Sequence, residues 1–292
     1  MKQLNILLAA VFLCISASAQ TDTTQNRKSD TMHIGNIIII KKGKKYGNDS
    51  ASLKISSKNE ERKQKSRIST NWWIVDLGFA NYDDQTNYGA LAAPGDYLSP
   101  GVPALSKGDF KLRSGKSVNV NIWLFMQRIN LIKKNVNLKY GLGVELNNYR
   151  YKSNISYKEN GVVPYSGGFQ TNNAFIFRDS ISFSKNKLAA DYVTVPLMLN
   201  FTTTPRHSSQ AMSLSVGVSA GYLYSQRNKQ VSDSRGKKRN RGDYDLEKFK
   251  FSYIAELGIG PVRFYGSYTP ESIYERGLDI RPYNVGIRFS SW

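Results

Sequence analysis

Histidine and cysteine are almost absent from this chain of 292 residues: the histidines are His33 and His207, and the single cysteine is Cys14. With Cys14 inside the apolar amino-terminal segment, the rest of the chain has no thiol. Disulfides, thiolate metal sites and a Cys nucleophile are therefore excluded there. Two isolated histidines, one in a basic stretch and one in the sequence Pro205-Arg206-His207, leave no His base beside a nucleophile and no His/carboxylate metal cluster. Beyond the first twenty residues no apolar run approaches about 18 residues, so no transmembrane helix is expected. Acids are also scarce. Asp and Glu number 22 against 41 Lys and Arg, a formal net charge of +19.

The first twenty residues, MKQLNILLAAVFLCISASAQ, have a positive start at Lys2, an apolar stretch from Leu4 to Ile15, and Ala17-Ser18-Ala19 ahead of Gln20. This is the layout of a secretory signal peptide covering residues 1–19. Phe12-Leu13 before Cys14 lack the small residue expected ahead of a lipidated cysteine, which argues against a lipoprotein. Residues 20–71 form a basic leader. From position 21 they carry twelve Lys or Arg against five acids, and only Ile37-Ile38-Ile39-Ile40 interrupts the polar pattern. The composition predicts a mostly disordered periplasmic segment with one strand-like patch.

From Trp72 to Trp292 the chain changes to a two-residue period. In VNLKYGLGVELNNY, residues 136–149, the large apolar side chains Val136, Leu138, Tyr140, Leu142, Val144 and Leu146 alternate with Asn137, Lys139, Gly141, Gly143, Glu145 and Asn147. Side chains alternate across a strand, so such a segment has one apolar and one polar face. Eight segments repeat the pattern, near 72–81, 117–130, 136–150, 188–202, 211–225, 246–260, 262–269 and 282–290. Among the outward residues the pattern places Trp73, Val75, Leu77 and Phe79 in the first segment. In the second it places Val118, Val120, Ile122, Leu124 and Met126, opposed by Asn119, Asn121 and Gln127. Most segments exceed the usual strand of a soluble sheet and suit a tilted membrane strand. The links alternate short and long, which is the wiring of an up-and-down barrel with brief periplasmic turns and large external loops. The predicted fold is an all-β, eight-stranded antiparallel transmembrane β-barrel. Its apolar-face aromatics sort into two belts: Trp73, Tyr140, Phe201, Phe264 and Phe289 at one end, and Phe79, Tyr222, Tyr224, Phe249, Phe251, Tyr253, Tyr268 and Tyr283 at the other. A bilayer selects such belts at its two interfaces. The competing fold is a soluble lipocalin-like barrel with its apolar parity turned inward.

The polar parity carries Asp76, Lys139, Glu145, Asp191, Glu256, Arg263 and Arg288. Strand direction brings Asp76, Glu256, Arg263 and Arg288 toward the periplasmic end, as an interior ion-pair cluster. It reads either as a satisfied polar plug or as a gate or proton path. Carboxylate chemistry by Asp191 and Glu145 is not favoured over ordinary pairing, so no enzymatic activity, catalytic residue, metal or cofactor is expected. The third long loop, QRNKQVSDSRGKKRNRGD, is strongly basic. Its residues Arg235, Lys237, Lys238, Arg239 and Arg241 read either as a solvated tip or as an anion contact, with lipid phosphates, lipopolysaccharide or acidic polysaccharide as partners. Nucleic acid ranks below these, since the aromatics face the membrane and the signal peptide takes the chain out of the cytoplasm.

Several stretches carry a family resemblance: NIIIIKKGKK before NWWIVDLGFANY, then DYVTVPLMLNF, IGPVRFYGSY and the ending YNVGIRFSSW. The chain resembles the outer-membrane β-barrel proteins of Gram-negative envelopes, porin-family and PorT-like, with an eight-stranded OmpA-like barrel. That resemblance implies outer-membrane localisation, a monomer, and insertion by the barrel-assembly machinery, which reads an alternating last strand ending in an aromatic. Tyr283, Val285, Ile287 and Phe289 fit, although Trp292 follows on the other parity. The expected function is a structural or adhesive barrel anchoring external loops that bind glycan or lipopolysaccharide. The alternative is a narrow pore or a secretion and envelope-assembly accessory.

Overall fold

A computed structural model describes residues 67–290, apart from 92–96, 99–104, 133–134, 165 and 204–211, and the backbone of three short amino-terminal strands. Those strands, Thr31–Ile34, Ile37–Ile40 and Ile55–Ser57, form an antiparallel sheet. The leader therefore holds three strands where its composition predicts one patch. The sequence pattern missed this because Thr31–Ile34 and Ile55–Ser57 are too short to show a period. The signal peptide and the rest of the leader lie outside the described residues. The chain divides into two units, residues 1–65 and 66–292.

The second unit contains eight long strands: β1 (Ile68–Asp84), β2 (Val118–Ile132), β3 (Val136–Arg150), β4 (Lys185–Thr202), β5 (Met212–Ser232), β6 (Phe249–Ile259), β7 (Val262–Tyr268) and β8 (Ile280–Phe289). Each pairs antiparallel with its neighbours in sequence, and β8 pairs with β1, so the sheet closes. The eight strands are those expected from the alternation. Closure leaves no open edge around the ring. Val118 is 37% exposed and Val216 43%, while Asn119 is 0% and Glu256 2%. The apolar parity faces outward and the polar parity inward. This is the reverse of a soluble lipocalin-like barrel.

Glycines decide where the lumen can take large side chains. Gly78 and Gly286 are directly opposite on β1 and β8. A Cβ at either would meet the Tyr265 ring or hydroxyl at 2.4–2.6 Å, and backbone of the adjoining strand as closely. In the stretch that opened the alternation, Gly141 and Gly143 make room for Met126 and Trp123. The β6–β7 hairpin turns on Gly260, whose φ of 56° favours glycine, followed by Pro261.

On β2 the parity assignment fails at Met126 and Gln127. Met126 is 0% exposed and packs inside with Ile74 and Trp123. The β2–β3 register shifts between Trp123 and Phe125, and Trp73 opposite it on β1 has a φ of 57°. Such a bulge sends two successive residues to one face and reverses the alternation beyond it. Met126 consequently points inward, and Gln127 takes the outward parity.

The long connections fold as well. Residues 155–158 pair with 175–178, and 161–162 with 170–171. Tyr97, Phe110, Tyr151, Ile155, Tyr157, Ile176, Tyr244 and Tyr274 are buried in one apolar cluster that reaches down to Tyr149 and Tyr192 in the strands. The long-loop end therefore carries a packed cap with its own core, where the sequence pattern predicts loops.

Replacing Gly286 by Val is expected to cost about 1–3 kcal/mol, because the new side chain must displace Tyr265 or part the strands. Gly266→Val, whose Cβ meets nothing nearer than 3.7 Å, is expected to change stability by less than about 0.5 kcal/mol. Denaturant unfolding in detergent micelles, followed by tryptophan fluorescence, checks the difference.

Candidate functional site

The lumen is filled by one hydrogen-bonded network. Toward the short-turn end, Arg288 on β8 donates Nε and Nη2 to the two carboxylate oxygens of Asp76 on β1, at 2.7 and 2.8 Å. Its Nη1 donates to Glu256 on β6 at 2.7 Å. Glu256 also accepts from Lys139 Nζ at 3.0 Å and, more distantly, from Arg263 at 3.5 Å. Asp76 accepts further bonds from Trp123 Nε1 (2.8 Å) and Asn121 (3.2 Å). The structure thus brings Asp76, Glu256, Arg263 and Arg288 together and adds Lys139. That lysine, on β3, reaches across the lumen to β6. Only the folded diameter reveals its reach.

A second layer lies nearer the long-loop end. Asn121 accepts from Asn119, Asn119 donates to Asn147, and Asn147 donates to Glu145. Glu145 receives Lys250 Nζ at 2.6 Å, and that ammonium sits 4.4 Å from the centre of the Tyr192 ring. The Tyr265 hydroxyl donates to Asn119 at 2.5 Å. A continuous chain of bonds therefore runs from Arg263 to Lys250. Its three carboxylates, Asp76, Glu145 and Glu256, face the four cations Lys139, Lys250, Arg263 and Arg288. Buried charges persist only when paired and hydrogen-bonded in this way.

Above the lumen, the cap closes over buried phenols. Tyr151, Tyr157 and Tyr274 share hydroxyl contacts of 2.7 and 2.9 Å, and Tyr97 donates to the Tyr244 carbonyl at 2.5 Å. Arg178 grips Asp109 with two nitrogens, at 2.7 and 3.2 Å. Arg276 pairs with Asp245 and lies over the Tyr97 ring. Burial pushes the hydroxyls of Tyr97, Tyr151, Tyr157 and Tyr274 well above the usual tyrosine range. Tyr244 is pushed up to about 12, again mainly by burial.

The basic segment is not an irregular loop. β5 runs on to Ser232, turns through Gly236 at a φ of 62°, and returns as a strand at Gly236–Arg241. Glycine there suits a three-residue hairpin turn. Register opposes Arg227 to Arg241, Lys229 to Arg239, Gln230 to Lys238 and Val231 to Lys237. Lys237, Arg239 and Arg241 therefore share one face, and Lys238 takes the other. Arg235 is held apart, 3.0 Å from Asp179. Lys237, Lys238, Arg239 and Arg241 are exposed, and among the described residues no carboxylate pairs with any of them. Asp191 is a second parity correction. It shares the outward parity of Val193 and Val195, lies buried under Arg227, and pairs with it at 2.5 Å. The β4–β5 register shifts between Asp191 and Tyr192, so β5 turns its odd residues outward beyond the bulge.

A closed ring of eight antiparallel strands, with an apolar exterior and a charged interior, is now established, and a family comparison agrees with it. The family model described as "Outer membrane protein beta-barrel domain" matches residues 76–279. The chain belongs to this family of outer-membrane β-barrels. No curated protein matches the sequence. Among the described residues no group of His, Cys, Asp and Glu is placed to hold a metal ion. His207 lies outside the described residues, as does the side chain of His33.

Replacing Arg288 by Met leaves Asp76 buried without a cation while Glu256 keeps Lys139 and Arg263, and is expected to cost about 3–5 kcal/mol. The pair Arg288→Met and Asp76→Asn should cost less than the sum of the two single changes, and a double-mutant cycle on unfolding free energies reads this coupling. In the cap, phenols held neutral above the unfolded tyrosine value of about 10 contribute stability that is whole below that pH. This contribution is lost as pH rises past it. Absorbance at 295 nm should show these tyrosines ionising late and together with loss of near-UV circular dichroism.

Proposed function

We propose that this outer-membrane barrel is a sealed anchor that holds a folded external cap and displays a basic hairpin to anionic groups at the cell surface. The observation that carries the reading is a lumen filled from end to end. The Asp76–Arg288–Glu256–Lys139 plug lies toward the short turns, the Glu145–Lys250 layer follows, and the tyrosine cap lies beyond it. An eight-stranded barrel has an interior just wide enough for its own side chains. Short turns on the periplasmic side and long connections outside are the usual arrangement for such barrels. Under that orientation the cap and the hairpin face the exterior.

The hairpin supports the contact with anions. Lys237, Arg239 and Arg241 line up on one exposed face, and guanidinium forks match phosphate and carboxylate oxygens. Lipopolysaccharide phosphates and acidic surface polysaccharide both offer such groups. A non-enzymatic role fits a lumen whose carboxylates are spent on ion pairs. Insertion through the barrel-assembly machinery as a monomer belongs to the same reading, supported by the alternation of Tyr283, Val285, Ile287 and Phe289 on the outward face of β8.

In planar bilayers the purified chain is expected to be electrically silent. Discrete, reproducible channel steps would overturn the sealed-anchor reading in favour of a narrow pore.

A further inference from the structure

The pairing of four neighbouring strands sets four cations in one row. Arg150 on β3 is directly opposite Lys187 on β4, Lys187 is opposite Lys229 on β5, and Lys229 is opposite Arg239 on the hairpin strand. All four are on the outward parity. The next row adds Arg227 opposite Arg241, and the one carboxylate beneath, Asp191, is taken up by Arg227. Like charges directly opposite in a sheet repel and destabilise it. Two of the four are partly quieted by neutral groups: Arg150 donates to the Ser184 carbonyl at 2.9 Å and Lys187 to Asn148 at 2.6 Å. None of the four has an acid partner among the described residues.

The height of this row on the wall identifies what meets it. Tyr222, stacked 5.2 Å from Phe249, and Tyr224 are the last exposed aromatics of β5 before the basic residues. Tyrosine rings of such a belt sit at headgroup level. Arg227 and Lys229 follow three and five residues later, roughly 8 to 13 Å farther along the membrane normal for a strand rising about 3.3 Å per residue at a tilt near 40°. A phospholipid phosphate lies at the depth of the aromatic belt, below the row. A phosphate carried on a sugar headgroup stands farther out, toward the row.

We propose that Arg150, Lys187, Lys229 and Arg239 form a binding site on the outer wall of the barrel for the phosphates of a phosphorylated glycolipid in the outer leaflet. The site deepens the surface-anion reading above and rests on it for sidedness. It moves the contact from the hairpin tip to the lipid-facing wall. Three of its four residues lie on barrel strands and not on the returning strand of the hairpin.

The test uses the full chain in neutral phosphatidylcholine nanodiscs, with bisphosphorylated lipid A, its fully dephosphorylated form, phosphatidylglycerol or soluble alginate added. Binding is read by native mass spectrometry and by the shift in unfolding temperature. Bisphosphorylated lipid A is expected to bind and to raise the unfolding temperature, whereas the dephosphorylated form and phosphatidylglycerol bind at least tenfold more weakly. The triple variant Lys187→Gln, Lys229→Gln, Arg239→Gln should lose at least tenfold in lipid A affinity. Without lipid it should be no less heat-stable than the parent, because it relieves repulsion. Lys238→Gln, on the opposite face of the hairpin, should stay within twofold. Equal loss in the Lys238 variant, unchanged binding by the triple variant, or equal affinity for phosphatidylglycerol overturns the site. Binding of alginate but not of lipid A overturns it too, while leaving the surface-anion reading in place. Channel activity would defeat the sealed anchor without touching the lipid site.

Discussion

The ion pair between Arg288 and Asp76 crosses the one seam that the local chain cannot make. Every other pairing in the ring joins consecutive strands, but β8 meets β1 only after the whole chain between them has folded. Arg288 and Asp76 are directly opposite in that pairing, and the guanidinium binds both carboxylate oxygens. A slip of one residue would turn the last strand over, sending Arg288 toward hydrocarbon and Phe289 into the lumen. A charge on the lipid face costs about 2–4 kcal/mol at the midplane and less toward the interfaces, and the slip would also leave Asp76 buried without its cation. The pair therefore selects the register at closure by making the neighbouring registers expensive. Glu256 extends the same restraint to β6, two strands away, and Lys139 carries it on to β3. One arginine thus ties the seam to the far wall.

Much of this architecture was legible because a two-residue period is a strong signal when strands are long and solvent is replaced by lipid. All eight strands follow from it, and so does the face of Val118, Val216 and Leu257. The same rule explains its own failures. Alternation holds only while each residue faces one partner, and a bulge breaks that count. Beyond Trp123 the register shift turned Met126 inward; Asp191 keeps the outward parity of Val193, and the shift beside it lies on β5, where it brings Arg227 onto the same face. Neither bulge has a glycine at the break to mark it; the positions are occupied by Trp73, Leu124 and Tyr224. The composition around Asp191 reads the same on either side of the sheet.

The cap was hidden for a different reason. Its segments are short, and its core residues, among them Tyr97, Phe110, Tyr151, Tyr157, Tyr244 and Tyr274, come from four separate connections. No periodicity links residues that meet only in space. The available clue was compositional: solvated loops have little use for so many tyrosines. Tyrosine also suits this position physically, since it supplies ring area for a core while its hydroxyl can close onto another polar group. The Tyr151–Tyr157–Tyr274 contacts and the Tyr97 bond to the Tyr244 carbonyl show that use.

The formal charge of +19 acquires a meaning once it is divided by location. Along the hydrogen-bonded chain in the lumen the account is close to balanced, with three carboxylates among four cations, as a water-poor interior requires. In the leader, twelve basic residues stand against five acids. On the rim, seven basic residues of the hairpin face little acid, and β3 and β4 add Arg150 and Lys187 to the same wall. A fold that balances its charges so carefully within, through bonds such as Lys250 to Glu145 at 2.6 Å, had simple means of balancing them outside. A single Glu opposite Lys229 would have relieved the row. Cross-strand repulsion left uncorrected on one patch, on a surface otherwise apolar down to the short turns, is the pattern of a surface whose counter-charge comes from its surroundings.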